Sequence, residues 1–142
     1  MNIRKATLDD YEVIISLMDQ LDYPGTDPFI KQRISQLLDH PDHKLLVYEL
    51  DGKVVACISI HYIPQLALKG DFAIISYLSV DNSVRSNGIG REIEEYCTQL
   101  AMERNCDRIQ VHCNIRREQA HRFYERQGFV ESRKYFSKKL KY

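Results

Sequence analysis

Two short stretches of this chain carry residue types and spacings that could do chemistry. The first is Arg85-Ser86-Asn87-Gly88-Ile89-Gly90, followed by Arg91, where closely spaced glycines stand between an apolar run and a helical pattern. A glycine turn that opens a helix presents unpaired main-chain N–H groups and the positive end of the helix dipole, which together suit a phosphate. Arg85 and Arg91 flank the bend and could share the charge of a pyrophosphate. The same turn is compatible with a helix start that needs glycine for backbone shape alone, its arginines merely solvated. It is not a dinucleotide fingerprint, because position 93 is Ile93 rather than glycine. Nor is it a nucleoside triphosphate loop, because Gly90 is followed by Arg91 and Glu92.

The second stretch runs from Asn114, at the end of a strand pattern, into a helix that places Ala120, Phe123 and Tyr124 on one side. A phenol with an ordinary pKa of about 10 is protonated at neutral pH and can give its proton to a departing anion. The plainer alternative is a core tyrosine with a satisfied hydroxyl. Strand alternation sets His112 on the same face as Asn114, and an imidazole of ordinary pKa suits a proton acceptor; a partly exposed strand histidine is the plainer reading there. His40 and His43 have a spacing that some metal sites use, but Pro41 interrupts any helix that could aim them together, and no metal is expected.

These residues need elements to position them. Asn2–Thr7 reads as a short strand, followed by a helix with Val13, Ile14, Leu17, Met18 and Leu21 at helical spacing and Thr7 in the cap region. Pro24, Gly25 and Pro28 break that pattern before a second helix over Phe29–His40. Asp51-Gly52 joins two strands, the strongest short hairpin signal in the sequence. Phe72–Val80 is a further strand rich in β-branched and aromatic residues. Ile89, Ile93, Tyr96, Cys97, Leu100 and Ala101 give a third helix that ends near Asn105. Asp107–Asn114 alternates as a strand, and Arg117–Gln127 is a short helix closed by Gly128. Val130–Leu140 is predicted to be a last strand. The order is βααβββαβαβ on one mixed, mostly antiparallel central sheet flanked by about four helices. This is an α/β (α+β) fold, a single domain over residues 1–142.

Twenty Lys plus Arg balance twenty Asp plus Glu, so no overall field draws in a polyanion and nucleic acid is not an expected partner. The basic tail around Arg133, Lys134, Lys138, Lys139 and Lys141 reads as the solvated face of the last strand. The N-terminus lacks the apolar core of a signal peptide, and no apolar run approaches the roughly 20 residues of a spanning helix. A cytoplasmic protein with no membrane partner is expected. Cys57, Cys97, Cys106 and Cys113 form no C-x-x-C pair and are expected to be reduced and mostly buried.

The two motifs together resemble the GCN5-related N-acetyltransferase (GNAT) superfamily, through "YLSVDNSVRSNGIGREI" and the later "N…A…FYE…GF" segment. The C-terminal half looks most like small-molecule N-acetyltransferases of the aminoalkylphosphonate type. The resemblance implies an acyltransferase that moves an acetyl group from acetyl-coenzyme A to an amine, with no metal needed. By carry-over, the main chain of Arg85, Ser86, Asn87, Gly88, Ile89 and Gly90, with Arg91 close by, would hold the pyrophosphate. Main-chain groups at Leu78, Ser79 and Val80 would bond the pantetheine arm, Asn114 would reach it from the other strand, and Ala120 and Phe123 would pack against it. Tyr124 would be the general acid, and the amide around Val80 would polarise the thioester carbonyl. Where many relatives have a glutamate this chain has Ser76; His112 is a candidate substitute base, with His61 and Tyr62 as weaker candidates. Asp22, Asp27 and Asp71 could attract a cationic amine or be solvated loop acids. Alternatives kept open are a catalytically weak acetyl-coenzyme A-binding sensor and a protein-lysine or N-terminal acetyltransferase. The fold likeness allows a homodimer through the C-terminal strands.

Overall fold

A computed structural model of the chain describes residues 2–85, 87–112, 118–132 and 135–140. The elements are β1 (Ile3–Lys5), α1 (Tyr11–Gln20), α2 (Ile30–Asp39), β2 (His43–Leu50), β3 (Lys53–Ile63), β4 (Phe72–Val80), α3 (Ile89–Glu103), β5 (Arg108–Val111) and α4 (Glu118–Arg126), with 3-10 turns at Leu8–Asp10 and Asn82–Val84. They divide into two compact units, Met1–His112 and Cys113–Tyr142.

In the first unit, β1 to β5 form one sheet in sequence order. Its pairings are antiparallel except the last, β4 with β5, which is parallel. The β2–β3 hairpin turns on Asp51 and Gly52, both at positive φ (52° and 78°), the double left-handed turn whose twist matches that of the strands it joins. Both faces of the sheet are covered, and alternate residues sort between them. Leu45, Val47 and Cys57 join Ile14, Leu17, Met18, Ile30 and Ile34 in the core under α1 and α2. On the intervening residue Tyr48, the hydroxyl donates to Glu92 of α3 at 2.8 Å.

The chain enters α1 through a charged clamp. Arg4 donates to both carboxylate oxygens of Asp10 at 2.9 and 3.0 Å and to Glu49 at 2.6 Å. Asp10 also accepts the Thr7 N–H at 2.8 Å. The Arg4 guanidinium holds the Asp10 carboxyl below its ordinary range.

Helix α1 ends in a Schellman motif, with Tyr23 N bonded to Met18 O at 2.9 Å and Asp22 left-handed at φ 70°. Asn105 at φ 60° ends α3 in the same way.

In the second unit, α4 closes with Gly128 at φ 92°, the Phe129 N–H reaching Tyr124 O at 3.0 Å. The predicted last strand is not formed by the described residues of that stretch, 130–132 and 135–140. Val130, Phe136 and Leu140 are 81%, 94% and 86% exposed there. Alternation is a pattern along one chain, whereas a strand exists only when a neighbour takes its N–H and C=O groups.

Candidate functional site

The site is built outward from β4. Its pairing with β3 runs from Val80–Ala56 to Tyr77–Ser59 and resumes at Ile75–Ile60, which leaves Ser76 as an extra residue in a β-bulge. On its other edge β4 pairs with β5 from Phe72–Arg108 to Ile75–Val111. Beyond Ile75 that edge has no strand partner among the described residues.

The Asp81 N–H donates to Val55 O at 2.8 Å, which sets the phase of alternation along β4. Main-chain groups of Tyr77 and Ser79 face β3, and those of Leu78 and Val80 face the open edge. Arg85 agrees with this phase, because its Nε donates to Val80 O at 3.2 Å. Ser79 is committed to packing: its buried hydroxyl donates to the Leu17 carbonyl at 2.8 Å and fastens β4 to the last turns of α1.

From the open edge the chain passes through Asn82–Val84 into the glycine turn. Asp81 caps that 3-10 turn, accepting both Ser83 N at 2.9 Å and Ser83 Oγ at 2.6 Å. Gly88 then adopts φ 81°, ψ 4° as the residue before α3, and a Cβ placed on it would meet nothing within 4 Å. The requirement for glycine at 88 is therefore conformational, and the space beside it is open. Gly90 lies in the first turn of α3, outside the positive-φ residues.

The helix ladder starts with Glu92 N to Gly88 O at 3.1 Å, so the N–H groups of Ile89, Gly90 and Arg91 have no partner within the helix. These donors, the positive helix end and the open space at Gly88 fit an anionic group such as a phosphate. Ile89 anchors the turn, being 4% exposed. Asn87 is exposed, and Arg91 reaches Glu95 along the helix surface at 2.9 Å. Ser86 and Asn114 lie outside the described residues.

His112 follows the last residue of β5 and is exposed. Tyr62 is buried, with the Arg104 guanidinium 4.2 Å from its ring centre. Burial pushes its phenol up to about 12, which keeps it protonated at neutral pH. His61 meets His43 with ring centres 4.4 Å apart and planes tilted by 58°, and burial lowers its imidazole. Asp71 accepts from Arg104 at 3.4 Å, Asp22 occupies the left-handed position after α1, and Asp27 is exposed. Cys57 and Cys97 are buried, and burial raises both thiols to about 12. Cys106 is half-buried, and Cys113 lies outside the described residues.

On α4, in the second unit, Tyr124 is buried, with its ring edge-on to Phe123 at 5.0 Å and to Phe129 at 5.4 Å. Ala120 and Phe123 are half-buried on the same helix.

Two features escape the sequence pattern. Tyr23, held by the cap of α1, meets Tyr77 edge-on at 5.3 Å beside the bulge. Gln20 bridges α1 to Asp81 and Asn82. Both contacts join residues more than fifty positions apart, so no local signal could have announced them.

The sequence matches the Acetyltransferase (GNAT) family over residues 9–129. The chain belongs to the GNAT acetyltransferase family. It is an acyltransferase, and the five-stranded mixed sheet and four α-helices among its described residues have the GNAT fold. It is 29% identical over 143 residues to an aminoalkylphosphonate N-acetyltransferase of Salmonella typhimurium, covering 97% of this chain and 90% of that one. In structure it is similar to a transcriptional regulator from Bacillus halodurans C-125, with TM-score 0.88, 24% identity and coverage of 97% and 98% of the two chains. It is also similar to glucosamine-6-phosphate N-acetyltransferase from Arabidopsis thaliana, with TM-score 0.83, 24% identity and coverage of 98% and 97%. Among the described residues no helix is long and apolar enough to cross a membrane.

Proposed function

We propose that this GNAT protein transfers an acetyl group from acetyl-coenzyme A to the primary amine of a small molecule by direct attack. The observation that carries the reading is the continuity of the edge of β4 beyond Ile75, which has no strand partner among the described residues, with the left-handed Gly88 turn and the first turn of α3. One path then offers main-chain hydrogen bonds for an extended arm and N–H donors for its phosphates.

In this reading the amides of the 85–90 turn and of Arg91 hold the pyrophosphate, and Leu78 and Val80 bond the arm from the open edge. Asn114, Ala120 and Phe123 complete its binding. Acetyl-coenzyme A supplies an acyl group already activated as a thioester. The Val80 N–H polarises the thioester carbonyl as the neutral amine forms the new C–N bond. Tyr124 gives its phenolic proton to the sulfur as the C–S bond breaks. His112, directly or through water, takes the proton that the amine must lose. The name of the Salmonella relative favours a compact amine such as an aminoalkylphosphonate as acceptor.

A second reading, an acetyl-coenzyme A-binding sensor with weak catalysis, is favoured by Ser76. That residue stands exposed at the bulge where the resemblance calls for a carboxylate, and a serine hydroxyl is no base at neutral pH.

Tyr124→Phe separates the two. It should bind coenzyme A as wild type does while turnover falls by about 10²–10⁴, the usual reach of acid catalysis. Full turnover in that variant would refute the acid assignment. Coenzyme A binding with no turnover in the wild type, across a broad amine panel, would favour the sensor.

A further inference from the structure

The segment between the open edge of β4 and the glycine turn is held by a compact hydrogen-bond network, and α1 supplies one of its members. Asp81 sits at the centre. Its N–H goes to Val55 of β3 at 2.8 Å, and its carbonyl accepts Val84 N at 3.1 Å. Its carboxylate takes Ser83 N and Oγ on Oδ1. The second carboxylate oxygen, Oδ2, accepts Gln20 Nε2 at 3.1 Å. The same carboxamide accepts the Asn82 N–H on Oε1 at 2.8 Å. Gln20 is the last residue of α1 and is half-buried, and its Nε2 also reaches Ser16 Oγ at 3.3 Å.

One amide group thus uses its donor and its acceptor on two successive residues of the loop. That geometry fixes the plane of the peptide entering Asn82 as well as its distance from the helix. Ser79 adds a neighbouring tie from β4 to α1 through Leu17, so the helix end is a rigid support.

We propose that Gln20 is a positioning residue for the coenzyme A turn, holding residues 81–85 in the conformation that delivers the 85–90 amides to the pyrophosphate; this rests on the assignment of that turn to the coenzyme. A loop ordered before binding loses less conformational freedom on binding, so removing the bridge weakens affinity for the coenzyme. Acceptor binding and the chemical step are left alone. The polarity of the bridge can also be reversed. With Gln20→Glu the new carboxylate still accepts Asn82 N–H but faces the Asp81 carboxylate, and like charges at that distance repel. Adding Asp81→Asn restores a donor, since the introduced amide can donate to the carboxylate now at position 20 while its oxygen still serves Ser83.

The test is calorimetric titration of the full chain with coenzyme A, alongside melting curves and steady-state kinetics. Gln20→Leu should raise Kd and the KM for acetyl-coenzyme A about tenfold, with kcat and acceptor KM unchanged and melting within a few degrees of wild type. Gln20→Glu should bind more weakly than Gln20→Leu at pH 8 and recover toward pH 5. The double variant Gln20→Glu with Asp81→Asn should return to within about threefold of wild type, as expected of directly coupled residues. Wild-type affinity in both single Gln20 variants, or no recovery in the double variant, would overturn the positioning role. So would a fall in kcat and acceptor KM that tracks the melting temperature. Wild-type protein that binds no coenzyme A would overturn the turn assignment and this inference with it.

Discussion

Gly88 and Gly52 offer a matched pair of perturbations. Both have left-handed φ, 81° and 78°, and a Cβ added at either meets no atom within 4 Å. Alanine at each position therefore carries the same backbone cost and no steric one. An L-residue held in this region loses about 1 kcal/mol relative to glycine. In a domain of this size that lowers the melting temperature by about 3–5 °C.

The two variants should thus melt alike. They should differ in coenzyme A affinity, because only the Gly88 methyl group occupies the open space beside the α3 N–H donors. A methyl there keeps the phosphate oxygens from closing to the short distance that charge-assisted bonds need. Binding by Gly88→Ala should weaken at least tenfold, about 1.4 kcal/mol, and Gly88→Trp should abolish it, while Gly52→Ala keeps wild-type affinity. Calorimetric titration with coenzyme A, together with melting curves, reads both quantities. Equal affinity in Gly88→Ala and Gly52→Ala would refute the argument that this turn receives the pyrophosphate.

Two further outcomes follow from the packing. A Cβ at Gly70 would lie 2.7 Å from both Asn105 O and Asp107 N, which are main-chain atoms, next to the Asp107 N to Asp71 O bond of 2.8 Å. Gly70→Ala should cost about 2–3 kcal/mol by overpacking, seen as a melting temperature lower by about 7–10 °C with coenzyme A affinity unchanged; an unaltered melting curve would contradict that close approach. His43 is buried, with Nε2 at 2.7 Å from Ser59 Oγ and His61 beside it, and burial first, then the His61 charge, push its imidazole down to about 4. Between that value and the ordinary pKa of about 6.5 the unfolded chain binds a proton that the folded chain refuses. Stability from this group is complete above about pH 6.5 and is lost as pH falls toward 4, by up to about 3 kcal/mol. Urea titrations at pH 7 and 4.5 should show a smaller difference for His43→Gln than for wild type, and equal differences would refute the assignment.

What was legible in the sequence was whatever is encoded locally. Asp51-Gly52 named its own turn, and Gly88 and Gly128 marked left-handed positions beside helices. The apolar spacing of Ile14, Leu17 and Met18 gave the buried side of α1. What could not be read depends on pairing between distant segments. Nothing in "IISYLSV" distinguishes Ser76 from its neighbours, because a bulge is a mismatch of count between two strands rather than a property of one. The predicted strand at the C-terminal end failed in its described residues for the same reason, as alternation cannot supply the partner. Gln20 looks like any polar residue at a helix end until the loop 61 and 62 positions later is laid against it. The glycine turn was therefore legible as a left-handed position at the start of α3, whereas the contacts that support it were not.

The most direct test of the central claim is a mass-spectrometric assay of the protein with acetyl-coenzyme A and a pooled panel of aminoalkylphosphonates, polyamines, amino acids, aminoglycosides and lysine peptides. The account predicts one class of acetylated amine, formed together with free coenzyme A and slowed at least a hundredfold by Tyr124→Phe, about the lower end of what acid catalysis contributes. No acetylated product, from a protein whose melting temperature coenzyme A does not raise, would contradict it.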